Sequence, residues 1–244
     1  GWSDISNNVG SIQYKVGNNI YTDSGTTTGF NKALMNDGVI EQHLVKGGKV
    51  YSNRYTPSTG WDQYWTDSTS NIPSTIPGTT IDFNSYRKPN GKIEQHLIKT
   101  SGSTNKVYTQ NNEQGWAQAT WVDVTISSNI LVNTGTGPVT GFTAHVDKDG
   151  YIIQNMVRGG QLWERNNIGG WANATWRNIT TGLNGCAGVG ANKCGNATLL
   201  TVERNRNNEN KDEFFLIRAG GKMYHRVSTP TDKRCRLKAN PYSP

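Results

Sequence analysis

Gly38-Val39-Ile40-Glu41-Gln42-His43-Leu44-Val45-Lys46 returns as Gly91-Lys92-Ile93-Glu94-Gln95-His96-Leu97-Ile98-Lys99. Looser copies follow at Gly150-Tyr151-Ile152-Ile153-Gln154-Asn155-Met156-Val157-Arg158 and at Phe214-Phe215-Leu216-Ile217-Arg218. After each copy come a turn and an apolar-aromatic pair: Val50-Tyr51, Val107-Tyr108, Leu162-Trp163 and Met223-Tyr224. Three copies then carry a Gly-Trp step, at Gly60-Trp61, Gly115-Trp116 and Gly170-Trp171, evenly spaced along the chain. A fixed period of this size marks one supersecondary unit that has been copied and stacked, because a single unit cannot bury its own apolar face.

The unit itself reads as strands. Thr79-Thr80-Ile81-Asp82-Phe83-Asn84-Ser85-Tyr86 alternates apolar and polar residues, and Lys88-Pro89-Asn90-Gly91 ends it with a turn. The copied phrase predicts a second strand, Thr100-Ser101-Gly102-Ser103 a hairpin, Lys106–Gln110 a third strand and Trp116–Val124 a fourth. Four antiparallel strands in about 45 residues make the blade of a β-propeller. The same pattern spans about 28–68, 78–125, 139–180 and 197–238, within one domain covering residues 1–244. No capped helix-period segment interrupts it, so the fold class is all-β. The orphan Gly1-Trp2-Ser3-Asp4-Ile5-Ser6 predicts a ring closed by the N-terminal strand, which would complete the last blade and remove sheet edges. A degenerate hairpin, Ser11–Val16 with Asn19–Thr22, leaves four or five blades open.

Composition narrows the function. Only 33% of the residues are hydrophobic, which suits short strands and many turns. No stretch nears the roughly 20 apolar residues of a membrane span. The net charge of +7 invites nucleic acid, but the basic residues are scattered, often one per copy at a strand end (Lys46, Lys99, Arg158, Arg218). That distribution speaks for a solvated basic surface and against nucleic acid as partner. Cys186 and Cys194 bracket a glycine-rich loop that a disulfide could close, with Cys235 as a rival partner or a free thiol. The start at Gly1-Trp2 reads as a processed or cut chain, and with the sequons at Asn173, Asn178 and Asn196 it points to secretion.

The third copy, with Gly160-Gln161-Leu162-Trp163-Glu164-Arg165, Gly170-Trp171, Trp176 and Ile179, resembles the blade motif of β-propeller lectins. The similarity is to the bacterial insect-pathogen type and to the fucose-binding fungal and bacterial type. It implies sugar pockets between adjacent blades. The fucose pocket itself does not carry over. Its arginine falls on Glu41, Glu94, Ile153 and Glu213, and its glutamate falls on Ser52, Thr109, Glu164 and His225, of which only Glu164 matches.

The repeated polar and aromatic residues form the candidate ligand-binding set. Glu41, Gln42 and His43, with Glu94, Gln95 and His96, offer paired donors and acceptors suited to adjacent hydroxyls. The competing reading is a hydrogen-bonded seam between blades. Trp61, Trp116 and Trp171 offer indole faces at a rim, while Trp65, Trp121 and Trp176 are expected to fill wedges between blades. Tyr51, Tyr108, Gln154, Trp163 and Glu164 complete the set. Asp147-Lys148-Asp149-Gly150 reads as a tight turn, since Ile152 and Ile153 cannot complete a calcium loop. Two histidines on different blades do not make a zinc site, and no cofactor motif occurs. The recurrent carboxylates are equivalent by repeat, whereas glycosidases need two carboxylates in unlike roles. The expectation is a lectin for glycans or glycoconjugates with several similar weak sites. A propeller glycosidase or lyase and a protein-interaction propeller stand as alternatives.

Overall fold

The computed structural model describes residues 3–4, 10–35, 38–125, 134–147, 149–180, 197–204, 212–218 and 223–227. The cysteines and Gly1-Trp2 therefore lie outside the described residues.

The chain opens with β1 (Ser3–Asp4), β2 (Ile12–Val16) and β3 (Asn19–Asp23). There follow β4 (Thr27–Leu34), β5 (Ile40–Lys46), β6 (Lys49–Thr56), β7 (Gly60–Trp61) and β8 (Trp65–Asp67). The second unit contains β9 (Thr79–Arg87), β10 (Ile93–Ser101), β11 (Thr104–Asn111) and β12 (Val122–Asp123). The third holds β13 (Val139–Val146), β14 (Ile152–Arg158), β15 (Gln161–Asn166) and β16 (Arg177–Asn178), and the last β17 (Ala197–Arg204), β18 (Asp212–Arg218) and β19 (Met223–Val227). These strands assemble into separate sheets, ordered β4-β5-β6-β8, β9-β10-β11-β12, β13-β14-β15-β16 and β17-β18-β19-β1. The N-terminal strand is thus the outer strand of the last sheet, with Ser3 opposite His225 and Asp4 opposite Tyr224.

Local chemistry explains the repetition. Between β5 and β6, Gly47 and Gly48 both have positive φ (56° and 80°), the backbone that a two-residue hairpin matched to strand twist requires. Gly159 and Gly160 repeat this between β14 and β15. Each sheet also carries a bulge near the start of its first strand, beside Gly29, Asp82, Gly141 and Leu199. The predicted fourth strands are shorter than expected. Trp116–Gln118 and Trp171–Asn173 form single 3-10 turns before two-residue strands, because an outermost strand buries nothing on its far side.

The first strands of the sheets pack in cyclic order: β4 on β9, β9 on β13, β13 on β17 and β17 on β4. Their second-face residues form a hydrogen-bonded belt. Asn31 Oδ1 accepts from Ser85 N at 3.0 Å, and Asn84 Oδ1 accepts from Ala144 N at 3.1 Å. Thr143 Oγ1 donates to Leu200 O at 3.1 Å, and Thr201 Oγ1 donates to Phe30 O. All four side chains are buried, so each satisfies a backbone group of the next sheet that water cannot reach. Apolar clusters fill the wedges between sheets. Phe30, Leu44 and Tyr51 meet Leu199, Phe215 and Ile217; Val45 and Val50 meet Phe83 and Leu97; Ile98 and Val107 meet Phe142 and Met156. Trp65, Trp121 and Trp176 pack against these three clusters in turn.

The structure bears on two points that the sequence left open or read more simply. The hairpin β2–β3 does not found a fifth sheet. β2 pairs in parallel with β8, placing Tyr14 opposite Trp65, and so extends the first sheet outward. The strand-end cations are not simply a solvated surface either. Lys46 is 1% exposed and donates to Gly10 O, Lys99 donates to Ile76 O and Arg158 donates to Gly137 O. Each holds a loop carbonyl that no strand partner reaches.

Candidate functional site

Pleating puts Glu41, His43, Ser52 and Arg54 on the face of the first sheet that looks toward the second. Phe83 and Gln95 look back from the second sheet. Together with Asp62, Thr66, Ser68, Asn71 and Trp121 they line a cleft of about 330 Å³. His43 packs against Phe83 with ring centroids 5.0 Å apart and the rings tilted by 54°. It is 7% exposed, and its buried Nδ1 makes no hydrogen bond within the protein. Burial pushes its pKa down to about 4, so the ring is neutral at pH 7. Burial likewise raises Glu41, and the Arg54 guanidinium offsets this only in part. Ser52 Oγ and Ser68 Oγ are 2.7 Å apart, and Gln110 Nε2 donates to Gln95 Oε1 at 2.6 Å. The cleft thus offers a carboxyl pair, a guanidinium, hydroxyls, amides, an unpartnered imidazole nitrogen and an indole.

The equivalent cleft between the second and third sheets is built from the same positions, but there both ring nitrogens of the histidine have partners. His96 Nε2 lies 3.1 Å from Glu94 Oε1, and Nδ1 lies 3.2 Å from Asn84 Oδ1. Tyr86 donates to Glu94 at 2.9 Å, and its ring stacks on His96. Burial alone would raise Glu94, but His96, the Tyr86 hydroxyl and Lys88 outweigh it and bring the carboxyl down to about 2. Arg165 lies over Trp176 at 4.7 Å and over Trp171 at 5.3 Å, while its Nε donates to Gln154 Oε1 at 2.7 Å. Burial pushes this guanidinium down to about 10.

Of the residues singled out in the sequence, Glu41, His43 and Gln95 meet in the first cleft. Glu94, His96 and Gln154 lie at the second, and Gln42 faces the other way, opposite Lys32 and Asn53. Tyr51 is wholly buried, with its hydroxyl donating to Asp23 Oδ2 at 2.6 Å. Tyr108 and Trp163 also belong to the apolar clusters, because their strand positions point into a wedge. Glu164 pairs with Arg177 at 3.3 Å on the third sheet. Trp61, Trp116 and Trp171 are exposed at 44%, 48% and 43%, yet none lines the cleft. The indole that does is Trp121, edge-on to Phe83 at 6.4 Å. Ser52-Asn53-Arg54, a polar run directly after Val50-Tyr51, is the signal in the sequence that could have marked the missed wall.

A second hollow of about 230 Å³ opens at one end of the ring's middle, between the ends of β4, β9 and β13. Its described lining is Ala33, Leu34, Met35, Tyr86, Arg87, Lys88, Pro89 and Val146, without a carboxylate. Asp147 forms the turn read from the sequence, with Oδ1 accepting from Asp149 N and Tyr151 N. Among the described residues no group of His, Cys, Asp and Glu could hold a metal ion, and no helix is long and apolar enough to cross a membrane.

No family model and no curated protein matches the chain. Among solved structures it is similar to the GH93 α-L-arabinofuranosidase of Fusarium graminearum in complex with arabinobiose (12% identity, TM-score 0.47, 83% of this chain and 62% of that one). It is also similar to the Hadza microbial sialidase Hz136 (9%, TM-score 0.41, 83% and 44%). A third is a fucose lectin from Kordia zhangzhouensis in complex with methyl-fucoside (14%, TM-score 0.33, 61% and 96%). The chain spans less than two thirds of the first two. With each TM-score below 0.5, the architecture rests on the strand pairing and the site on its own residues.

Proposed function

We propose that the ring of sheets is a four-bladed β-propeller and that the protein binds carbohydrate in the cleft between the first and second sheets. The observation that carries this reading is the cleft's lining. A neutral, buried imidazole nitrogen without a partner lies among carboxyl, guanidinium, hydroxyl and amide groups, with an indole alongside. Sugars present adjacent hydroxyls on one edge and a C–H-rich face on the other, and this set answers both. The site is polar and single, so affinity for an individual glycan is expected to be weak.

Binding to a glycan array tests it. The wild-type chain is expected to bind a defined subset of glycans. Arg54→Ala and Trp121→Ala are expected to weaken that binding about tenfold or more, since each removes about 1–3 kcal/mol of contact. Silence across a broad array would sink the reading and leave protein interaction as the function.

One observation favours a second reading. Glu41, raised by burial, shares the cleft with a second carboxyl, Asp62, and carboxyls in unlike environments are what glycoside hydrolysis uses. Release of reducing ends from an array-positive glycan, abolished by Glu41→Gln, would establish the enzyme instead.

A further inference from the structure

The pairing registers place Glu41, Glu94 and Glu213 at one position of their sheets, and Lys32 and Ser85 at another. Gln110 and Arg165 correspond in the same way, each opposite a glutamine of the second strand. Equivalent clefts can therefore be compared group by group. Between the fourth and first sheets, Lys32 reaches across and places its ammonium 2.6 Å from Glu213 Oε2, with Phe215 6.0 Å beneath it. Between the second and third sheets, Arg165 enters over Trp176, which meets Phe142 as Trp121 meets Phe83. In both, the following sheet supplies a cation.

Between the first and second sheets it does not. Ser85 stands at the place of Lys32, and Gln110 at the place of Arg165. Two carboxyls, Glu41 and Asp62, line this cleft against the single guanidinium of Arg54, and His43 adds no charge at pH 7. Of these three clefts among the described residues, this is the one to which the following sheet supplies no cation, and its cation, Arg54, comes from the first sheet itself.

We propose that this cleft takes the ammonium group of an amino sugar, seated on Glu41 as Lys32 is seated on Glu213. The inference rests on the carbohydrate-binding reading above. Trp121 favours a sugar over a lysine side chain as the bearer of that ammonium, because its indole offers a face for a ring. A carboxylated sugar is disfavoured by the same two acids.

Calorimetric titration of the full chain with a tetramer of β-1,4-linked glucosamine, and with the same tetramer fully N-acetylated, tests this. The amine form is expected to bind about tenfold tighter or more, a preference that Glu41→Gln abolishes. Ser85→Lys installs the neighbour's own cation and is expected to eliminate binding, with thermal unfolding confirming the fold. If that buried substitution prevents folding, Glu41→Gln decides alone. Equal or tighter binding of the acetylated tetramer overturns the proposal, as does a preference that survives Glu41→Gln. Binding of N-acetyl-lysine amide as tightly as the tetramer also overturns it, by removing the sugar. In each case array binding of other glycans leaves the broader reading standing, whereas silence of both tetramers and of the array removes both together.

Discussion

Asp82 occupies the bulge position that Gly29 and Gly141 hold in two other sheets, and it is 1% exposed. Its Oδ1 accepts from Phe83 N and its Oδ2 from Phe142 N, so one carboxyl ties the second sheet to the third. Burial raises its pKa to about 8, although both backbone hydrogen bonds pull the other way. The native state therefore holds a proton that the unfolded chain has released from about pH 4 upward. This contribution to stability is complete at low pH and is lost as pH rises toward 8, at a slope near 1.4 kcal/mol per pH unit. Urea unfolding at pH 5 and pH 8 should show that loss, and Asp82→Asn should flatten it even if the variant is less stable at both. Gly29 faces the same carboxyl. A Cβ there would lie 2.7 Å from Asp82 Oδ1 and 3.0 Å from Val45 Cγ2. Gly29→Ala is expected to cost about 1–3 kcal/mol by overpacking, read as a lower urea midpoint. At this scale the sequence was only half legible. His43 and His96 stand in nearly identical phrases, yet one has a bare nitrogen and the other two partners. Their difference lies in what each meets across the wedge and in Tyr86 standing where the first sheet has Ala33, and no local pattern displays such packing.

Elements were more legible than their ends. The copied phrase, the glycine turns and the alternation before Lys88 located the inner strands, because period-two burial is written directly into residue order. The outer strands β12 and β16 shrank to two residues, since Trp116 and Trp171 turn in 3-10 geometry and only a short stretch reaches its neighbour's backbone. The hairpin β2–β3 resembled a fragment of the unit, but its placement depends on Tyr14 finding Tyr51 at 4.9 Å, a contact set by the third dimension. β1 shows the reverse, a two-residue strand whose role followed from the need to complete a sheet. Deleting residues 1–6 removes it and leaves the far side of β19 unpaired. The expected outcome is a fall of several degrees in Tm by differential scanning calorimetry, with aggregation on heating. An unchanged Tm would show that the last sheet holds without it.

At the scale of the whole molecule, each sheet is joined to two others by the belt of Asn31, Asn84, Thr143 and Thr201. No sheet among those described can loosen without leaving buried polar groups of its neighbours unpaired. Unfolding is therefore expected as one transition, with tryptophan fluorescence and far-UV circular dichroism superimposing in urea. Asn31→Ala should shift both curves together by about 1–3 kcal/mol, rather than split them. Composition and repeat foretold the all-β class, and the cyclic contact of first strands follows from neighbours burying each other's faces.

The unequal rim has a consequence for how molecules meet. Three sheets end in strands of two residues, β12, β16 and β1, too brief to template a visiting chain. The first ends in β3, five residues long, with Ile20 and Tyr21 exposed at 49% and 45%. Among the described strands it is the one border long enough for a second copy to align along. An antiparallel match of β3 with its counterpart uses the same patch on both partners and consumes it. Such growth stops at two, so a molecule built from repeats, the kind of architecture that invites endless stacking, carries a terminus of polymerisation in its own outline.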